Sequence, residues 1–162
     1  MNGHPSSEAP WLTPEAQELA ITLCTSHQRA FGRPLIAATA GSTPDRLLAQ
    51  DLFAAATVVL AHDGADPTGD PGPRLIYANR AALQLWRRPW AELVGMPSRL
   101  TAEPTERAGR ARALASVHQH HAICDYAGVR IDSQGRRFQI RGARVWSHPR
   151  GQAAAFSSWH WL

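Results

Sequence analysis

The stretch RLIYANRAALQLWRRPWAELVG, residues 74–95, decides how the rest of the chain is read. Arg74 to Ala78 read as a strand, with Leu75 and Tyr77 on one face and Ile76 and Ala78 on the other. At Asn79 the period changes, and Ala82, Leu85 and Trp86 share the face of a helix. Asparagine suits that corner because its side-chain oxygen accepts an unpaired N–H of the first helical turn. Pro89 opens a second short helix, Trp90 to Val94, which Gly95 closes. Trp86 and Trp90 are then expected between short helices and a sheet, as core or as pocket wall, each indole N–H needing a partner if buried.

Upstream, Thr13-Pro14-Glu15 reads as a helix start, with a threonine cap, a proline at the first position and an acid in the first turn. Ala16, Leu19, Ala20, Leu23 and His27 follow at helical spacing until Gly32 and Pro34. Thr43-Pro44-Asp45 opens a second helix the same way, carrying Leu47, Leu48, Leu52 and Phe53. A strand follows over Thr57 to Ala61, and then HDGADPTGDPGP (62–73), too rich in Gly, Asp and Pro for regular structure.

Downstream, a longer helix is expected from near Pro104 to about His120, with Ala108, Ala111, Leu114, Ala115 and His118 along one side. Three strands finish the chain. In the first, Ile123, Asp125, Ala127, Val129 and Ile131 alternate with Cys124, Tyr126, Gly128 and Arg130. Asp132 to Gly135 turn into the second, whose phase changes at Gly142, the place for a bulge. Gln152 to Trp161 return as the third. A two-strand ribbon, a helical crossover and a three-strand meander give a five-stranded antiparallel sheet with short helices on one face, an α+β layer fold. Residues 1–12 are expected to be flexible, 13–55 to form a helical extension packing on the domain, and 56–162 to form the domain itself.

The strand ending in asparagine, the pattern Tyr-Ala-Asn-x-Ala-x-x-x-Leu-Trp over residues 77–86, and Glu92-Leu93-Val94-Gly95 resemble a PAS domain. PSRLTAEPTERAGRARALA (97–115), YAGVRIDSQGRRFQIRGARVW (126–146) and GQAAAFSSW (151–159) resemble the narrower MEKHLA family of PAS-like domains. These occur as stand-alone bacterial proteins and at the C-terminus of plant homeodomain–leucine zipper regulators. The resemblance covers roughly residues 12–162. It implies a sensor or regulatory module whose sheet and short helices enclose a pocket for a small apolar or aromatic ligand. It supplies no ligand identity, so the cofactor is left unknown, and no catalytic residues. The homeodomain and zipper are absent from these 162 residues, so DNA binding does not transfer. The ligand-binding candidates are Tyr77, Asn79, Trp86, Trp90, Ser98, Arg99, Phe138 and Trp146.

Composition narrows the function. No apolar run approaches the ~18 residues that span a bilayer, and MNGHPSSEAP lacks the basic-then-apolar pattern of an export signal. Cys24 and Cys124 make no disulfide framework, so a cytoplasmic protein is expected. All 17 basic residues are arginine, and residues 99–162 hold ten of them against four acids. That excess could draw an anion or an acidic partner, or form a solvated face. Ser98 and Ser133 lack a nucleophile-elbow context, and neither cysteine has a patterned basic partner, so no enzyme is expected.

Three local features remain. His118 and His121 share a helix face with Cys124 just beyond, so a metal or haem could bind there, or the helix dipole alone could account for them. The flavin-photoadduct cysteine of light-sensing PAS domains has no counterpart in GMPSRL (95–100). Ser98, Arg99 and Thr101 precede a helix start, where Arg99 is either an anion anchor or a fork to a backbone carbonyl or carboxylate. Arg136 and Arg137 read as solvated protection of a sheet edge.

The sequence thus points to a non-enzymatic homodimeric sensor acting through a small ligand and protein contact, with neither nucleic acid nor membrane as partner. The alternatives are a ligand-free interaction or dimerisation domain and a haem- or metal-binding redox sensor through His118 and His121.

Overall fold

Alternation of apolar residues at period two builds six antiparallel strands: β1 (Val58–His62), β2 (Leu75–Ala78), β3 (Ala122–Ile131), β4 (Arg137–His148), β5 (Gly151–Phe156) and β6 (Ser158–Trp161). The computed structural model describes residues 8–162, apart from the side chain of His118. In space the strands run β2-β1-β5-β4-β3. β6 continues β5 beyond a break at Ser157 and pairs with Phe138 to Arg141 of β4. The break falls where β1 ends, Val58 being opposite Phe156.

Helices cover both faces. On the outer face lie α1 (Pro14–Phe31) and α2 (Asp45–Ala54). Thr13 caps α1 by accepting the Ala16 N–H, and Gly32, at φ 68°, closes it. Leu19, Leu23, Leu48 and Leu52 pack against Val59, Ala61, Tyr77, Trp146 and Ala155 of the sheet. α2 does not repeat the threonine cap: Pro44 occupies the cap position, while Thr43 bridges back to Ala40. The expectation of a flexible segment over 1–12 is met in the described part by ordered structure. Residues 1–7 lie outside the described residues, whereas Pro10–Leu12 form a 3-10 turn whose Trp11 stacks on Phe53 at 3.7 Å.

The inner face carries α3 (Arg80–Trp86), α4 (Trp90–Leu93) and α5 (Pro104–His120). Leu85, Trp86 and Leu93 join Val58, Leu75, Phe138, Ile140 and Phe156 in one core, while Leu114 and Val117 of α5 lie on Val145. α5 buries Arg110, Leu114 and Val117, a stripe that keeps Leu114 of the expected line but leaves Ala108 and Ala115 exposed and Ala111 half-buried. α4 wraps the edge of β2, and the segment after it satisfies that edge: Leu75 N–H donates to Met96 O, and Gly95 N–H to Leu75 O.

Bulges decide which side chains face which layer. Ala61 pairs with Tyr77 but His62 with Leu75, so Ile76 is an extra residue. Leu75 therefore faces the inner core and Tyr77 the outer one, not the same face as simple alternation requires. β3 and β4 carry two offsetting bulges. Ile123 pairs with Val145 and Tyr126 with Ala143, so Cys124 and Asp125 together oppose Arg144 and β3 carries one extra residue. Gly128 pairs with Ile140, so Arg141 and Gly142 together oppose Ala127 and β4 carries one extra residue. Asp125 (φ 56°) and Gly142 (φ 61°) supply the left-handed backbone, at no steric cost only for the glycine. Phe138, Ile140, Ala143 and Val145 thus all point inward, and Trp146 outward.

Asn79, fully buried, ties these parts together. Its Oδ1 accepts from Ala82 N–H of α3 at 3.2 Å and from Val59 N–H of β1 at 3.0 Å. Its Nδ2 donates to Thr57 O at 2.7 Å and to Leu52 O, in α2, at 3.3 Å. On the outer face, His27 is equally buried, its Nδ1–H donating to Arg33 O at 3.0 Å while Nε2 accepts from Arg144 at 2.9 Å. Burial, then the Arg144 charge, pulls its pKa down to about 4.

Two outcomes follow. Asn79→Ala should destabilise by about 2–4 kcal/mol, a lost cap plus buried partners left unmet; denaturant melts measure it, and faster hydrogen exchange at residues 80–86 locates it. His27 has a folded pKa below its ordinary 6.5, so its contribution is complete above pH 6.5 and is lost as the pH falls toward 4. The slope for this one histidine is at most ~1.4 kcal/mol per pH unit. His27→Gln should flatten the acid limb of a stability–pH curve, and a limb just as steep would assign it elsewhere.

Candidate functional site

Between the inner face of the sheet, α5 and the 3-10 turn Ser98–Thr101 lies a cavity of about 70 Å³. A single water needs at least about 10–15 Å³ of such space, so the cavity admits a few waters or one small molecule. Leu60, Leu75, Trp86, Ile140, Ala143 and Phe156 give it an apolar wall. The polar part is contributed by Arg110, Ser98, Arg130, Tyr126, His62 and Gln152.

Each polar residue is placed by its element. Arg110 takes the position on α5 one turn before Leu114, so it is buried with that stripe and only 9% exposed. Its Nη2 donates to Ser98 Oγ at 2.6 Å. Tyr126, Gly128 and Arg130 alternate inward along β3, and Arg130, 7% exposed, donates to Tyr126 Oη at 2.9 Å and to Val129 O at 2.9 Å. Gly128 leaves room for this placement: a Cβ there would lie 2.8 Å from Arg130 Nη1 and 2.9 Å from Tyr126 Oη, and those side-chain ends would have to shift. The ion pairs among the described residues use Arg46, Arg88, Arg99 and Arg137, and none reaches Arg110 or Arg130. Burial, with Arg130 beside it, pulls the Arg110 pKa down to about 10.

His62 and Gln152 complete the site from β1 and β5. Gly64 N–H donates to His62 Nδ1 at 3.0 Å, which leaves the proton on Nε2. Nε2 and the neighbouring Gln152 Oε1 are buried and do not reach hydrogen-bonding geometry with each other or any other described group. Burial and the Arg110 charge pull His62 down to about 4, so it is neutral at pH 7.

The sequence profile of the MEKHLA domain family matches residues 17–161 of this chain. The chain belongs to the MEKHLA domain family. Its fold is that of PAS and LOV sensory domains. The PAS domain of a protein from Colwellia psychrerythraea superposes with TM-score 0.57 at 10% identity, over 72% of this chain and 95% of that one. An RNA-binding Light-Oxygen-Voltage receptor superposes with TM-score 0.54 at 20% identity, over 75% of this chain and 36% of that one. A fungal LOV domain photoreceptor gives TM-score 0.51 at 16% identity, over 86% and 91%. No curated protein matches the chain.

Of the eight candidate ligand-binding residues, two line the cavity of this MEKHLA domain: Trp86, whose indole N–H donates to Thr101 O at 3.4 Å, and Ser98. Phe138 lies against Trp86, edge-on at 5.2 Å. Tyr77, Trp90 and Trp146 are on the outer side, because the bulges at Ile76 and Gly142 turn the first and last of them away. Asn79 is the corner described above. Arg99 is a fork to the 70–71 segment, donating to Pro71 O at 3.1 Å and pairing with Asp70 at 3.3 Å. Arg136 and Arg137 are not merely solvated: one lies 3.8 Å over the Trp161 ring and the other pairs with Glu103. His118's side chain lies outside the described residues, His121 and Cys124 are exposed, and among the described residues no three His, Cys, Asp or Glu side chains gather for a metal.

Arg110, Arg130, Tyr126, His62 and Gln152 went unremarked as site residues in the sequence. The readable trace was an arginine at i−4 from Leu114 and i−7 from Val117, and another two residues beyond Gly128 on a strand. Ser98→Ala removes the only described acceptor of a buried guanidinium and should cost roughly 1–3 kcal/mol in denaturant melts; a change within error would mean cavity water replaces the hydroxyl.

Proposed function

We propose that this MEKHLA domain is a non-enzymatic, cytoplasmic sensor module, in which a small ligand occupies the inner cavity and the outer helical layer meets a protein partner or a second copy of the chain. The observation that carries this reading is the placement of cavity and helices on opposite faces of the same strand. Val145 lines the cavity, and the next residue, Trp146, donates its indole N–H to Ser26 Oγ of α1 at 2.9 Å. Filling the cavity therefore bears on the strand that holds α1. Such coupling needs only a ligand that favours one of two packings.

Other observations support the same assignment. Cys24 is buried in the outer layer with its thiol pushed up to about 11, and Cys124 is exposed at the β3 bulge, so both cysteines are off the cavity. The arginine excess of the C-terminal part is largely engaged: Arg110 and Arg130 face inward, Arg99 and Arg137 are ion-paired, Arg144 binds His27 and Arg136 covers Trp161. That favours a small anion over nucleic acid as the charged partner. Among the described residues no helix is long and apolar enough to cross a membrane.

Native mass spectrometry of protein purified without stripping should show a bound small molecule, and Ala113→Leu, which fills the cavity from α5, should abolish it while the fold persists. A wild-type mass free of ligand, with no compound raising Tm, would favour a ligand-free interaction domain instead.

A further inference from the structure

We infer that the cavity recognises a small carboxylate, the anionic head held between Arg110 and Arg130 and a short apolar tail lying along Trp86 and Ile140. This rests on the ligand-binding reading above. Burying one unpaired charge is costly, and two like charges in one cavity add repulsion. Protein groups meet little of their demand: each guanidinium carries about five N–H donors, yet Arg110 reaches only Ser98, and Arg130 only Tyr126 and Val129, among the described residues. No carboxylate of the described residues meets either guanidinium, whereas Arg99 and Arg137 each pair with one.

The neighbouring groups select the same chemistry. His62 presents a neutral, buried Nε2–H beside the Gln152 side chain and outside normal hydrogen-bond geometry with it, a third donor within the cavity wall for a carboxylate oxygen. Tyr126, its hydroxyl already accepting from Arg130, is free to donate its own proton. Gln152 Oε1 is a buried acceptor left over, suited to a hydroxyl or a water beside the ligand. Size limits the tail: a cavity of about 70 Å³, space for only a few waters, suits the shortest carboxylic acids. Planar two-oxygen anions match the guanidinium fork, which adds geometric selectivity to the charge.

The test is a thermal-shift and calorimetry series on the full chain at constant ionic strength, using acetate, propionate, butyrate and isobutyrate against their amides, with inorganic phosphate as a further arm. At least one acid should raise Tm by several degrees and bind at least about tenfold more tightly than its amide. Arg110→Met and Arg130→Met should each remove the acid's effect. Without ligand, Arg110→Met should melt at or above the wild-type temperature, because an apolar side chain of similar length ends the charge burial. Arg110→Gln gives the same reading of acid binding should the methionine variant not fold, and the acid–amide comparison needs no variant. Amides binding as well as acids would overturn the anion assignment, and phosphate binding alone would overturn the carboxylate assignment, each leaving a ligand-binding cavity in place. Binding of none of these compounds, with a wild-type mass free of ligand, would overturn both.

Discussion

Asn79 is the point at which three layers are held to one another. A single buried amide satisfies the first turn of α3, the edge of β1 and the end of α2, using both its acceptor and its donors. The buried N–H groups of Val59 and Ala82 have no other described partner, which is why the arrangement tolerates no smooth repositioning of the helices. The direction in which α3 leaves the sheet sets where Trp86 arrives, and Trp86 is a wall of the cavity. A corner residue remote from any ligand thus fixes the shape of the site.

Much of the fold was legible because local chemistry and tertiary structure agree. Thr13, Asn79 and Gly32 do in the structure what their capping preferences suggest, and Gly142 carries the bulge its phase change implies. What escaped was orientation where alternation breaks without a glycine. Ile76 and Asp125 interrupt their strands with residues that carry no such mark, so Tyr77 and Tyr126 could not be assigned to a face from sequence. Within the PSRLTAEP segment Ser98 holds Arg110, whereas Arg99, the more conspicuous charge, reaches the 70–71 segment instead.

Inward arginines were the hardest feature to read, for a physical reason. Hydropathy treats Arg as a surface residue, and a buried one is recognised only by what its neighbours do. Here a glycine at position 128, with no side chain, makes the space that the Arg130 guanidinium and the Tyr126 phenol fill. The arrangement is unfavourable for stability taken alone, and the outer layer compensates with a large leucine and aromatic core. Local rules broken at one place and kept elsewhere are the usual mark of a site.

The paired bulges of β3 and β4 have a consequence for how this chain tolerates change in length. Each adds one residue and reverses the in–out alternation beyond it, and because they sit on opposite strands the two reversals cancel across the pair. Loss of one residue at Gly142 alone would turn Trp146 toward the ligand side and Val145 toward α1, exchanging the chamber and the output surface over the rest of β4. Removing residues from both strands together would restore the pairing but present Ile123 and Val145 to the opposite layers. Single-codon deletions here should therefore be far more damaging than ones in the loop of residues 65–70, where no strand face is at stake.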